Sequence, residues 1–221
     1  MLPLFYSSFI LQISQKLPKI QNDVEVEHVN GHVIIFQSSE HQVDDYDSLI
    51  STLDRHNRAV WLAPNLGFSY LFLANSIAIL HSFDGRHVLE WSIENQVYPQ
   101  RLVLIGVPLI PSCNPIFLSE VKELPPNISE RSLQWCKNGD ILNLKDYPSP
   151  IKMVSSPLDY ASPPEMNFEA LPAYSHHRIG PQYFQSTIPD HDELIYHPST
   201  LFYISRFVDG KKRKILRRSK K

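Results

Sequence analysis

Proline restricts this chain more than any other residue, and its distribution is lopsided. Four of the 18 prolines lie in residues 1–107, and fourteen lie between Pro108 and Pro198. Proline fixes φ and has no N–H to give to a helix or a sheet ladder. The first stretch can therefore hold regular structure, whereas the second is broken into short pieces and extended runs. With only 7 glycines, the loops are stiffened more than they are loosened.

Two turn signals dominate the proline-poor half. Asn30-Gly31 separates the alternating run Val24–Val29 from His32–Phe36, and Asp84-Gly85 separates Ser76–Phe83 from Arg86–Ile93. Asn-Gly and Asp-Gly suit the positive φ of a two-residue hairpin turn, so both sites predict β-hairpins. Between them, Tyr46, Leu49, Ile50 and Leu53 fall at helical spacing behind Asp44 and Asp45, which predicts a helix near 45–56. Ala59–Ala63 and Phe68–Leu73 read as further strands, and the apolar run Arg101–Val107 reads as a central one. Strands are expected at 24–29, 32–37, 76–83, 86–93 and 101–107. One helix among so many strands points to α+β, a mainly antiparallel sheet followed by an extended proline-rich segment.

Beyond Val107, Ile128–Asn138 predicts a short helix that Ser129 can cap and Gly139 can end. Residues 146–198 mix prolines with aromatic residues, and disordered linkers are poor in aromatics. Tyr160, Phe168 and Tyr183 are accordingly expected to be partly buried. Leu201–Val208 reads as a final strand. The organisation is thus a strand-rich body over 1–145, an ordered wrap over 146–198, and a last strand with a basic end over 199–221.

Charge is divided along the chain. Residues 211–221 hold eight Lys or Arg and no acid, while all 23 acids precede them alongside 13 Lys and Arg. Dense cationic charge binds phosphates or the acidic grooves of import receptors. Lys211, Lys212, Arg213, Lys214, Arg217, Arg218, Lys220 and Lys221 are therefore candidate nucleic-acid or import-receptor contacts. Cys113 and Cys136 form no disulfide framework and read as two reduced thiols. The apolar run Leu2–Ile13 lacks a basic flank and is too short to span a bilayer. The expected setting is an intracellular reducing compartment, the nucleus included, with no membrane.

Catalytic signatures are sparse. No P-loop or G-x-G-x-x-G is present, nor are the zinc patterns H-E-x-x-H and C-x-x-C. No G-x-S-x-G elbow is present, which disfavours an α/β-hydrolase. His176, His177, Asp190, His191 and His197 combine imidazole and carboxylate within a short span and are the candidate metal ligands. Glu120-Val-Lys122, with Asp84 as an earlier acid, has the spacing of some metal nucleases. A thiol hydrolase built on Cys113 or Cys136 lacks the local glycines such enzymes use. These features give a non-enzymatic interaction protein with a protein partner, a subunit of a nucleic-acid-associated or viral assembly. Two alternatives stand beside it: a metal-dependent hydrolase or nuclease using the His/Asp cluster, and a purely structural subunit. No cofactor is expected, and a divalent metal enters only under the hydrolase alternative.

Overall fold

The structure is a computed structural model. It describes residues 32–54, 59–63, 73–111, 113–123, 126–159, 162, 167, 170–172, 176–178 and 189–210. In chain order the elements are β1 (His32–Phe36), a 3-10 turn (Val43–Tyr46), α1 (Asp47–Asp54), β2 (Val60–Ala63), β3 (Ser76–His81), α2 (Ser82–Glu94), β4 (Arg101–Ile105), α3 (Pro115–Glu123), α4 (Pro126–Asn138), β5 (Ile151–Ser155), β6 (His176–Arg178), a 3-10 turn (Asp192–Ile195) and α5 (Pro198–Val208). Among the described residues the strands form one six-stranded sheet in the order β2-β1-β3-β4-β5-β6. Every pairing is parallel.

The side-chain alternation of a strand splits its apolar residues between two cores. Ile34, Phe36, Ala78, Leu80, Leu102, Leu104 and Met153 face one side, where they meet Val88 and Leu89 of α2. Val33, Ile35, Ile77, Ile79, Val103, Ile105 and Val154 face the other, against Leu49 and Leu53 of α1 and Ile204 and Val208 of α5. Strand β3 is buried along its whole length. Fully burying each such aliphatic side chain contributes about 1.5–3 kcal/mol. A parallel sheet covered on both faces is what continuous apolar runs such as Arg101–Ile105 require.

The expected antiparallel α+β sheet is therefore overturned. The second strand of the Asp84-Gly85 hairpin is a helix: α2 occupies Ser82–Glu94, with Gly85, Arg86, Leu89 and Ser92 on its buried side. Gly85 does not turn a hairpin. A Cβ at this position would lie 2.9 Å from Leu80 Cβ and 3.0 Å from the Leu80 carbonyl carbon, so the glycine lets α2 fold tightly back on β3. Both edges of β1 are occupied by the parallel neighbours β2 and β3. Residues 24–31 lie outside the described residues, as do 68–72, Tyr160, Phe168 and Tyr183.

Several local expectations match. Strands occur at 32–36, 60–63, 76–81 and 101–105, and the predicted helix at 45–56 is the 3-10 turn plus α1. Asp45 accepts a hydrogen bond from the Gln42 backbone N–H at 2.8 Å, which caps that segment. Helix α4 starts earlier than expected, at Pro126, and the Gly139 N–H closes its end on the Trp135 carbonyl at 2.6 Å. Leu201–Val208 is helical, not extended: Pro198 opens α5, and the His197 ring accepts the Ser199 N–H at 3.3 Å.

Cys113 and Cys136 are joined in a disulfide, against the expectation of two free thiols. The bond ties the chain just before α3 to α4 and removes the support that free thiols lent to a reducing compartment. No helix among the described residues is long and apolar enough to cross a membrane.

Candidate active site

The chain leaves β3 through Ser82, which has φ 54°. A non-glycine residue in the left-handed region costs about 1–3 kcal/mol and persists only where its surroundings impose it. Here a buried strand ends at His81 and a helix begins at once, with Gly85 admitting the close approach. The turn directs the Ser82 side chain toward the end of the sheet beyond the strand C-termini, the usual ligand side of an open parallel sheet.

Two other segments meet it there. Ser82 Oγ lies 2.8 Å from His191 Nε2, and His191 Nδ1 lies 2.8 Å from Asp159 Oδ1. Asp159 follows β5, and His191 precedes the 3-10 turn before α5. A parallel bridge between Leu158 and Asp190 sets the next residue of each segment side by side. Ser156 Oγ adds a hydrogen bond to the Pro189 carbonyl. The Asp159 carboxylate also accepts the Ser162 N–H at 2.7 Å. Gly106, at the end of β4 with φ +56°, leaves room for the pair, since a Cβ there would lie 2.9 Å from His191 Cε1 and 3.1 Å from Asp159 Oδ2.

Ser82, Asp159 and His191 are all buried. Burial disfavours the charged imidazolium, but the Asp159 carboxylate outweighs it through its charge and hydrogen bond. With Glu40 and Asp192 adding to the same side, the His191 pKa is pushed up to about 9. The arrangement is a hydroxyl, a base in contact with it, and a carboxylate that fixes the base's tautomer.

The surroundings are equally ordered. The Ser38 N–H donates to Tyr46 Oη at 2.8 Å, and the same hydroxyl shares a hydrogen bond with His81 Nδ1 at 2.9 Å. Burial, followed by the neighbouring His41 and His191, holds the His81 pKa well below its ordinary value and keeps the ring neutral. On α2, Phe83 packs against Trp135 of α4 with ring centroids 5.3 Å apart. Arg86 is buried and donates to the carbonyls of Pro108, Leu109 and Asp140, with its Nε on Glu90 at 2.8 Å. Its guanidinium lies 4.9 Å from the Trp135 ring centroid. One charged side chain thus ties the helix behind Ser82 to both ends of the α3–α4 insertion.

No protein-family model matches the chain, and no curated protein matches it. Solved structures do. An alpha/beta hydrolase fold protein from Chitinophaga pinensis superposes with a TM-score of 0.54 at 12% identity, covering 82% of this chain and 90% of that one. A pyrethroid hydrolase from Sphingobium faniae JZ-2 gives 0.54 at 12%, covering 81% and 97%. MGS-MChE2, an alpha/beta hydrolase enzyme from the metagenome of sediments of the Mar Chica lagoon, Morocco, gives 0.53 at 16%, covering 82% and 93%. The fold is that of the α/β-hydrolases.

This likeness overturns two sequence expectations. The α/β-hydrolase fold was disfavoured because the serine elbow motif was missing. The elbow is present without its motif: Leu80 and Asp84 stand where G-x-S-x-G has glycines, and Gly85 supplies the close approach one position later. The non-enzymatic interaction protein is likewise replaced by a chain folded as hydrolases are.

The candidate metal ligands are spread over several elements. His176 and His177 lie on β6, paired with Met153 and Val154. Asp190 is exposed and accepts the Glu193 N–H at 2.9 Å. His191 belongs to the triad, and His197 caps α5. No group of three metal-ligating His, Cys, Asp or Glu is present among the described residues. Glu120-Val-Lys122 lies on helix α3, not on a strand, and Asp84 on α2. The basic residues Lys211–Lys221 lie outside the described residues. Ser82 and Asp159 were missed altogether. The sequence signal for Ser82 is an apolar run leading into Ser-Phe-Asp-Gly and then apolar positions at helical spacing; Asp159 carries none.

Proposed function

We propose that this protein is a serine hydrolase that cleaves carboxylic esters through an acyl-enzyme. The observation that carries this reading is the hydrogen-bonded chain Ser82–His191–Asp159 at a strained strand-to-helix turn. The hydrolase names of the structural neighbours support it.

Ser82 Oγ attacks the ester carbonyl carbon while His191 Nε2 takes its proton. The carbonyl π electrons move onto oxygen. Phe83 stands second in α2, so its N–H is among the first four helix amides that have no intrahelical acceptor. It is the donor placed to hold that oxyanion. Collapse of the tetrahedral intermediate breaks the carbonyl–alkoxy bond, and His191 passes its proton to the departing alcohol. Water then repeats the sequence on the acyl-serine, releasing the acid and restoring Ser82. Asp159 keeps the Nδ1 proton in place and stabilises the imidazolium throughout.

Treatment with a fluorophosphonate probe tests this directly. Wild-type protein is expected to be labelled at Ser82 and to hydrolyse p-nitrophenyl esters, and Ser82→Ala is expected to do neither. Labelling elsewhere, or esterase activity that survives Ser82→Ala, would overturn the reading.

A further inference from the structure

Glu40 has no place in the triad, yet its carboxylate lies against it. Ser82 Oγ donates to Glu40 Oε2 at 3.2 Å, on the same oxygen that meets His191. Glu40 sits on the loop after β1, which is held from two directions. The Ser38 N–H is bound by Tyr46, and the Ser39 N–H donates to Asp84 Oδ2 at 2.6 Å. The titratable groups facing Glu40 are His191, Asp84 and His41. An anion beside the nucleophile opposes a developing oxyanion and repels anionic substrates, so its position calls for a compensating charge.

On the reading of Ser82 as the nucleophile, we infer that Glu40 sets specificity by binding an ammonium group carried on the carbon next to the scissile carbonyl. Geometry supports this. The attacked carbon sits about 3–3.5 Å from Oγ in a reactive complex. Standard bond lengths place an α-nitrogen about 2.5 Å from that carbon. A carboxylate oxygen 3.2 Å from Oγ can then come within hydrogen-bonding reach of the nitrogen when the substrate turns its α-carbon toward Glu40. Hydrogen-bond accounting points the same way. When Ser82 gives its proton to His191, Glu40 Oε2 loses its donor, and a half-buried carboxylate left without one is costly. An ammonium supplies both the missing donor and the missing charge. Burial holds the Glu40 pKa above the ordinary carboxylate value, so the preference weakens in mild acid as Glu40 protonates.

Leucine methyl ester and N-acetyl-leucine methyl ester, assayed with the full chain at about pH 7, where an α-amine is still largely protonated, separate the outcomes. Wild type is expected to favour the free amine in kcat/KM by about 10- to 100-fold. Glu40→Gln should remove that preference, mainly through KM, and Glu40→Asp, which withdraws the carboxylate by one methylene, should reduce it. Fluorophosphonate labelling of Ser82 and the melting temperature show that each variant is folded, and should Glu40→Gln fail to fold, Glu40→Asp carries the test. A wild-type preference for the N-acetyl ester, or a ratio unmoved by both substitutions, would sink the inference while leaving the labelled serine intact. Absence of labelling in wild type would instead defeat the hydrolase reading, and this one with it.

Discussion

The nucleophile and its two partners are placed by different means. Ser82 is set by its own stretch of chain: strand β3, a left-handed residue, and Gly85 three positions on. Asp159 and His191 belong to loops 32 residues apart and are set by each other, through the Leu158–Asp190 bridge and the space above Gly106. Local geometry can position one group; a charge pair needs tertiary contacts on every side. The two halves of the site should therefore respond differently to substitution.

The largest effect is expected at the locally placed group. Ser82→Ala should lower kcat by about 10⁶-fold. Ser82→Gly should be equally inactive but no less stable than wild type, because glycine accepts φ 54° without strain. Thermal melts beside esterase assays check both, and a large drop in melting temperature for Ser82→Gly would show that the elbow is not locally strained.

Asp159→Asn should cost about 10⁴-fold in kcat, because the wrong His191 tautomer is then favoured. Unlike Ser82→Gly, it should also destabilise by roughly 3 kcal/mol, since it breaks a buried pair. A chemical denaturation series is the measurement. Equal stability would mean the pair does not organise its loops.

The two glycines sharpen the contrast. Gly106→Ala introduces a Cβ 2.9 Å from His191 Cε1 at a positive φ, so it should cost about 1–3 kcal/mol and displace the base. A misplacement near 1 Å lowers kcat by about 10²-fold. Gly85→Ala should cost a similar amount of stability by pushing α2 off Leu80, at the elbow. If Gly106→Ala left kcat unchanged, the tertiary placement of His191 would be less tight than the contacts indicate.

The buried pair also predicts a pH response. His191 must be unprotonated to accept the Ser82 proton, so kcat/KM should rise as pH passes through about 9. Its folded pKa lies above the ordinary 6.5. The stability it contributes is therefore complete below about 6.5 and is lost as pH rises through about 9. A kcat/KM profile alongside melting temperatures from pH 6 to 10 measures both. A limb that stayed put in Asp159→Asn would show that the carboxylate does not raise the imidazole.

Periodicity and capping were readable from residues alone. Helix α1 follows from Tyr46, Leu49 and Leu53 at helical spacing, and β4 follows from an unbroken apolar run, because both patterns express which faces are buried. Strand direction was not readable. A strand buried on both faces has the same composition in either orientation, and Asp84-Gly85 supplies the same letters to a hairpin turn and to an elbow where glycine serves close approach. Nor could His191 be told from His176, His177 or His197 as a functional histidine. Its role arises only when the chain brings it against Asp159 and against Ser82, 109 residues away. Residue types set which segments are apolar and regular, as at α1 and β4, but 86–93 and 201–208, which read as strands, are helices because tertiary packing decided between the two. The parallel sheet and the triad were decided in tertiary structure, because they depend on which distant segments lie side by side.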